Sequence, residues 1–275
     1  MHAVARDIFQ KDLVLHLQIL ECLNLVQNGQ IKGILMTYCV AMYLNDGLVF
    51  ASDTRTNAGV DHLSIFKKLF YFNNANRELV IQSAGNLATT QSVIAILRQE
   101  IENDDKDNIM KLKSMFEIAE HLGATLRKVI KRDESELISK NTLSCSFILG
   151  GYIGEKNPAL YNIYPEGNFV LANKDTPYFQ IGETKYGKPI IDRLINFNTK
   201  LSDALKCAMI SFDSTIKSNV SVALPIDILV MDRINKTTKQ KRLTAQDPYI
   251  LTVRKSWGQL IVDNFHKIPD LSWEE

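Results

Sequence analysis

The sequence predicts an α+β fold in which two antiparallel sheets pack together with helices outside, and three observations carry that reading. Strand-like and helix-like stretches come in segregated runs, in the order strands, two helices, strands, two helices, strand, which argues against a βαβ array. The strand-like runs are short and joined by turn residues, as at Asn45-Asp46-Gly47, where a tight hairpin finds the φ > 0 positions it needs. The helix-like runs carry apolar residues on one face and charge on the other, so each has a single face to bury.

In chain order, Tyr38 to Leu44 and Leu48 to Ser52 make the first hairpin. Thr54 to Asp61 is polar and contains glycine, a loop, and Ile65 to Phe72 returns to strand before the turn Asn73-Asn74-Ala75-Asn76. Glu78 to Ser83 is a strand broken by Ala84-Gly85, and Asn86 is an N-cap for a helix with Val93, Ile94, Leu97 and Ile101 on one face. A second helix is expected from about Ile109 to Ile130, with Leu112, Met115, Phe116, Ala119, Leu122, Leu126 and Val129 inward. The period then changes to strand over Thr142 to Leu149, Leu160 to Tyr164, Phe169 to Leu171 and Tyr178 to Ile181. Gly182 to Asn196 and Ser202 to Lys217 read as helices, Ile226 to Met231 as a final strand, and the tail from about 244 as one helix, Thr252 to Phe265. No repeat, low-complexity run or linker divides residues 37–275, which are expected to form one domain.

Composition narrows the function classes. With 275 residues, 45% hydrophobic and 23% charged, the chain can bury a large core. A net charge of +1 gives no global pull toward nucleic acid or an anionic membrane, and neither partner is expected. The cysteines Cys22, Cys39, Cys145 and Cys207 are scattered without C-x-x-C spacing, three of them in apolar runs, which fits buried free thiols in a reducing cytoplasm. The histidines are isolated, so neither a metal site nor a Ser-His-Asp arrangement is signalled, and no metal or organic cofactor is expected. An apolar stretch at 13–26 is interrupted by charge, unlike an export signal or a membrane span; its helical spacing allows a short amphipathic helix.

Taken together, Thr37, Asp53, Lys68 and Gly85 supply what amide hydrolysis needs: a nucleophile, a base, a charge that lowers the nucleophile's pKa, and an oxyanion donor. Thr37 supplies the first two if it is the mature N-terminus. A free α-amine titrates at about 7.7–8.0, so roughly a quarter to two-fifths is neutral at pH 7.5, against roughly 0.1% of a lysine. Lys68 is therefore best used charged, beside the hydroxyl, and held by Asp53. Gly85, at a strand-to-helix turn, can present its N–H without a Cβ in the way. Each residue alone has a plainer explanation: a strand threonine, a strand-end acid, a solvated Lys67-Lys68 pair, a turn glycine.

The runs Thr37 to Leu44, Gly47 to Arg55, Lys67-Lys68-Leu69-Phe70 and Ser83-Ala84-Gly85 resemble the proteasome β-subunit pattern in order and in spacing to within a residue. Met36 to Cys39 and Ser52 to His62 are most similar to its bacterial "ancestral β subunit" (Anbu) branch, and the resemblance extends to about residue 270 through Gly150-Gly151, Phe212-Asp213-Ser214-Thr215, Leu224-Pro225-Ile226-Asp227 and Asp247-Pro248-Tyr249. It implies an N-terminal nucleophile hydrolase with a four-layer αββα sandwich and a cytoplasmic threonine peptidase acting on peptides or unfolded protein. It also implies a homo-oligomeric ring or shallow helix, with the helices Leu87 to Ile101 and Ile109 to Ile130 as candidate subunit contacts. By position, Thr37 is similar to the family's nucleophile and base, Asp53 and Lys68 to its activating pair, and Gly85 to its oxyanion donor. Asp213 and Ser214 resemble the residues that hold the N-terminal amine, with Ser218 as the alternative serine. The other tethering serine is not evident, and Glu183-Thr184 stands about where it would be.

Two features depart from the family pattern: Met36 precedes the nucleophile where self-processed subunits usually have Gly, and 35 further residues lie before it. Residues 1–36 are read as a leader, either a propeptide or an over-extended start, and the in-frame Met36 favours the second. Two other functions stay open: a catalytically silent ring or scaffold subunit, and an N-terminal nucleophile amidohydrolase acting on a small molecule.

Overall fold

The computed structural model describes residues 37–57, 63–135, 139 and 141–273, so the expected helix at 13–26 lies outside the described residues. One sheet is built from β1 (Tyr38–Leu44), β2 (Gly47–Asp53), β10 (Tyr178–Gly182), β11 (Ile226–Asp232) and β12 (Thr237–Leu243), in the order β10-β1-β2-β11-β12. The other contains β5 (Leu69–Asn74), β6 (Arg77–Gly85), β7 (Cys145–Ile153), β8 (Ala159–Ile163) and β9 (Phe169–Leu171), neighbours in that order. All the pairings in both sheets are antiparallel. A small two-stranded sheet joins β3 (Arg55–Asn57) to β4 (Leu63–Ile65).

Period-two alternation sorts the strand residues into separate cores. In β1, Cys39 and Ala41 face the second sheet while Tyr38, Val40, Met42 and Leu44 face away from it; in β2 Leu48 and Phe50 face inward, Val49 and Ala51 outward. The outward set packs on α3 (Lys188–Leu194), α4 (Leu201–Ser218) and α5 (Pro248–Phe265) through Ile191, Cys207, Ala208, Phe212, Ile250 and Val253. On the other side, Leu79, Ile81, Phe147 and Leu149 pack on α1 (Leu87–Glu102) and α2 (Met115–Asp133). Val80, Ile148, Leu160 and Leu229 fill the layer between the sheets. The result is the expected αββα sandwich.

Local departures have identifiable causes. The strand expected from Ile65 begins only at Leu69: the Phe66 N–H bonds back to the Thr54 carbonyl, and the Lys68 side chain is drawn to Asp53. The second helix starts at Met115 because Ser114 caps it, accepting from the Glu117 N–H, while Arg77 takes the carbonyls of Ile109 and Leu112, which a helix would have used. The helix expected from Gly182 begins at Lys188. β12 was not expected at all, since Thr237–Leu243 is almost entirely polar; it survives as an exposed edge strand carrying Lys239, Lys241 and Arg242.

Candidate active site

Three of the residues singled out above meet at one end of the sandwich. Thr37 immediately precedes β1, Asp53 ends β2 and Lys68 enters β5, and all three are buried. Asp53 is the hub. Its Oδ1 accepts the Tyr38 N–H at 3.0 Å and the Lys68 Nζ at 3.0 Å, while Oδ2 takes Nζ at 3.0 Å as well. The Arg55 carbonyl accepts from Nζ at 2.6 Å. One carboxylate thus ties the ammonium to the backbone of the residue that follows Thr37, with no water needed as a bridge. Burial pushes the Asp53 carboxyl up to about 6, against the pull of Lys68 and the Tyr38 N–H in the other direction. At neutral pH the Asp53 carboxyl is ionised.

Gly85 is exposed at the far end of β6. The Ser83 N–H bonds the Lys68 carbonyl at 3.0 Å, so the Gly85 N–H, two residues on, faces the same side, toward the chain that enters β5. The Asn86 N–H turns back to Ser144 O at 2.9 Å, and the Asn86 side chain caps α1 by accepting from the Thr89 N–H. Only glycine fits here: φ is +119°, and a Cβ would lie 2.4 Å from Ser144 O.

Asp213 and Ser214 lie on α4. Asp213 is buried in α4, but its carboxylate faces Arg254 of α5, with Nε 3.0 Å from Oδ1, and Lys217, with Nζ 3.2 Å from Oδ2. Ser214 is half-buried and Ser218 exposed; among the described residues neither hydroxyl is hydrogen-bonded. The α4 side chain hydrogen-bonded to β1 is Ser211, whose Oγ lies 2.5 Å from the Tyr38 hydroxyl, and Gln180 Nε2 donates to the same hydroxyl. These two contacts, like the donation from Asn219 to Glu183 described below, have no sequence signature; they are made by side chains distant along the chain. Cys39, next but one to Thr37, is no rival nucleophile, since burial pushes its thiol up to about 12 and its Sγ donates to Ser83 O. Among the described residues no cluster of three or more His, Cys, Asp or Glu could hold a metal, and no helix is long and apolar enough to cross a membrane.

The opposite side of Thr37 is fixed by β10. The Glu183 N–H donates to the Thr37 carbonyl at 2.7 Å, one step past the Tyr38–Gly182 pair. Gly182 comes so near that a Cβ would lie 1.8 Å from that carbonyl oxygen. Glu183 is itself buried, and its Oε2 accepts from Asn219 Nδ2 at 3.0 Å.

The site is thus a threonine at a sheet end with a buried lysine–aspartate pair beside it. The profile described as "Proteasome subunit" matches residues 37–231. The chain belongs to the proteasome-subunit family. Among solved structures, the proteasome-type subunit Anbu from Yersinia bercovieri is 50% identical, covering 86% of this chain and 100% of its own, with a TM-score of 0.81. The Anbu complex from Pseudomonas aeruginosa, described as a helical assembly, is 48% identical over 86% of this chain and 99% of its own, with a TM-score of 0.82. Anbu from Hyphomicrobium sp. strain MC1 is 39% identical over 86% and 100%, with a TM-score of 0.79. No protein of curated function matches. Family and fold together identify a bacterial proteasome-like subunit of the Anbu type, with an N-terminal nucleophile architecture.

Proposed function

We propose that this protein is a threonine-type peptidase whose nucleophile is Thr37, freed at its α-amine. The observation that carries the reading is the shared Asp53 oxygen, which holds the Lys68 ammonium and the Tyr38 N–H at 3.0 Å each, fixing a positive charge next to the start of β1. In the proposed reaction the α-amine takes the proton from the Thr37 hydroxyl as Oγ attacks an amide carbonyl. Lys68 stabilises the developing alkoxide, and the Gly85 N–H receives the carbonyl oxygen. The amine returns its proton to the leaving nitrogen, and water then cleaves the Thr37 ester by the same route in reverse. No metal or organic cofactor enters this chemistry.

Peptides or unfolded protein are the proposed substrates, the cytoplasm the proposed compartment and a homo-oligomer the working form; the helical assembly of the Pseudomonas relative supports the last. Asp213 and Ser214 are kept in the proposal only as indirect supports through α4. Residues 1–36 are proposed to be absent from the working enzyme, with 37–275 as one catalytic domain, because a Thr37 nitrogen bonded to Met36 has no basic lone pair. Translation from Met36 followed by methionine removal, which small second residues favour, would leave that nitrogen free.

The test is mass spectrometry of a chain translated from Met36 and treated with a β-lactone or epoxyketone probe. It should begin at Thr37 and carry the adduct there, whereas the chain retaining residues 1–36 should stay unlabelled unless trimmed to the same point. Labelling of an untrimmed Thr37 would defeat the α-amine mechanism.

A further inference from the structure

Glu183 presents a problem in electrostatics. Its residue is only 4% exposed, yet among the described residues it makes no ion pair, and its one side-chain hydrogen bond is the neutral donation from Asn219 to Oε2. Buried carboxylates are stable when paired with a cation or several donors, and one amide N–H is thin compensation. Other buried acids have cations beside them: Asp53 has Lys68, and Asp213 has Arg254 and Lys217. The backbone then says what stands beside Glu183, because its own N–H is hydrogen-bonded to the carbonyl of Thr37.

We infer that Glu183 is a positioning residue for the nucleophile's amine: its carboxylate, steered by Asn219, pairs with the α-ammonium that exists at Thr37 only after the residues before it are removed. The inference rests on the proposed function for its purpose but not for its geometry. The cation missing beside Glu183 is the one that trimming creates, so the site is electrostatically complete in the trimmed chain and incomplete in the untrimmed one. A carboxylate here also strengthens the base, because an opposite charge within a few ångströms favours the protonated amine and raises its pKa. Where the family resemblance calls for a serine, a charged group would hold the amine more firmly and tune it more strongly than a hydroxyl. The charged groups on the neighbouring elements have partners of their own. Asp53 and Lys68 neutralise each other across β2 and β5, Asp213 on α4 is matched by Arg254 and Lys217, and the Tyr38 phenol is held neutral by burial.

The experiment uses the chain trimmed to Thr37, in its assembled form, with the α-amine titrated by pH-dependent labelling with an amine-selective reagent and mass spectrometry. In the unaltered protein the amine should titrate above the usual 7.7–8.0 or so. Glu183→Gln, which keeps shape and the Asn219 contact, should lower it by about one pH unit or more, and the acid limb of Thr37 acylation by a β-lactone should move down with it. Asn219→Ala should give a smaller shift of the same sign. An amine that titrates identically with Glu183 or Gln overturns the inference. If Glu183→Gln fails to fold, N-terminal acetylation of the unaltered trimmed chain removes the cation without touching Glu183; it should lower Tm, and an unchanged Tm overturns the pairing. A Glu183-dependent amine on a Thr37 that never acylates would uphold the pairing and sink the peptidase, while acylation with a Glu183-independent amine would do the reverse.

Discussion

The two ends of β6 each carry a polar contact between the layers, and they are built on different principles. At the Gly85 end the contact is ionic: the buried Lys68 ammonium has both Asp53 oxygens and the Arg55 carbonyl. At the Arg77 end, Glu78 accepts neutral hydroxyls from Tyr71 and Tyr152 of its own sheet, each at 2.8 Å, and from Thr238 of the other sheet. Three hydroxyl donors can satisfy a half-buried carboxylate and join two sheets with no cation at all. Structural cohesion therefore does not explain the lysine at the other end. A charge is placed there at the cost of desolvating two ions, which is reasonable if the charge is needed for chemistry.

The sharpest way to break this contrast is Lys68→Ala. Acylation of the trimmed chain should fall by roughly 10²–10³-fold, the usual loss when a preorganised charge is removed, while the fold survives because Asp53 can take up a proton. Unchanged labelling of a folded Lys68→Ala protein would remove the distinction between the two ends. Gly85→Ala should follow, costing about 2–3 kcal/mol of stability in denaturant melts, since a side chain at φ +119° is strained and its Cβ would sit 2.4 Å from Ser144 O.

The pH dependence separates function from stability at the ionic end. As pH falls through about 6, Asp53 takes up a proton and Lys68 loses its counter-ion, so by pH 5 acylation should drop about tenfold beyond the fall set by protonation of the α-amine. For folding the sign is opposite. The carboxyl is raised in the native state above its unfolded value of 3.8, so this group's contribution to stability is fully present below that value and is lost as pH rises through about 6. Asp53→Asn should flatten that part of the stability profile; an unchanged profile would show that Asp53 is not the titrating group. The smallest effect expected is from Glu78→Gln, about 1 kcal/mol in thermal or chemical melts, with acylation of Thr37 unaltered. A large loss of labelling there would mean the two ends are coupled.

Much of this was readable from residue order, because period-two alternation in β1, β2 and β6 and the one-sided helices fix the layers without knowledge of tertiary contacts. Asp53, Lys68 and Gly85 could be picked out because, with Thr37, they make up the set that amide hydrolysis needs and stand where the proteasome β-subunit pattern has its activating pair and oxyanion donor; singly, each reads as an ordinary strand or turn residue. β12 escaped notice because an exposed edge strand has little apolar pattern to show. The helix boundaries near Ile109 and Gly182 moved because Arg77 and Thr37, distant in sequence, claim backbone groups there. Gln82 illustrates the same limit, since it reads as a polar residue in a strand. In the fold its Nε2 donates across the inter-sheet layer to Ala51 O and Ser52 Oγ, each at 2.9 Å. Asp213 was assigned from motif position, and the helix turned it toward α5, a direction that neighbouring residue types do not reveal.

The seating of Thr37 also bears on how far the chain can be shortened from the front. Chain ends ordinarily fray and are digested until a folded obstacle is met. Here the obstacle begins one residue after Thr37: β1 is flanked by β10 and β2, the Tyr38 N–H is locked to Asp53, and its ring is wholly buried. An exopeptidase advancing on this chain would have to pull a central strand out of its sheet to pass Thr37. The fold itself thus acts as a ruler, marking the point beyond which shortening from the front requires unfolding.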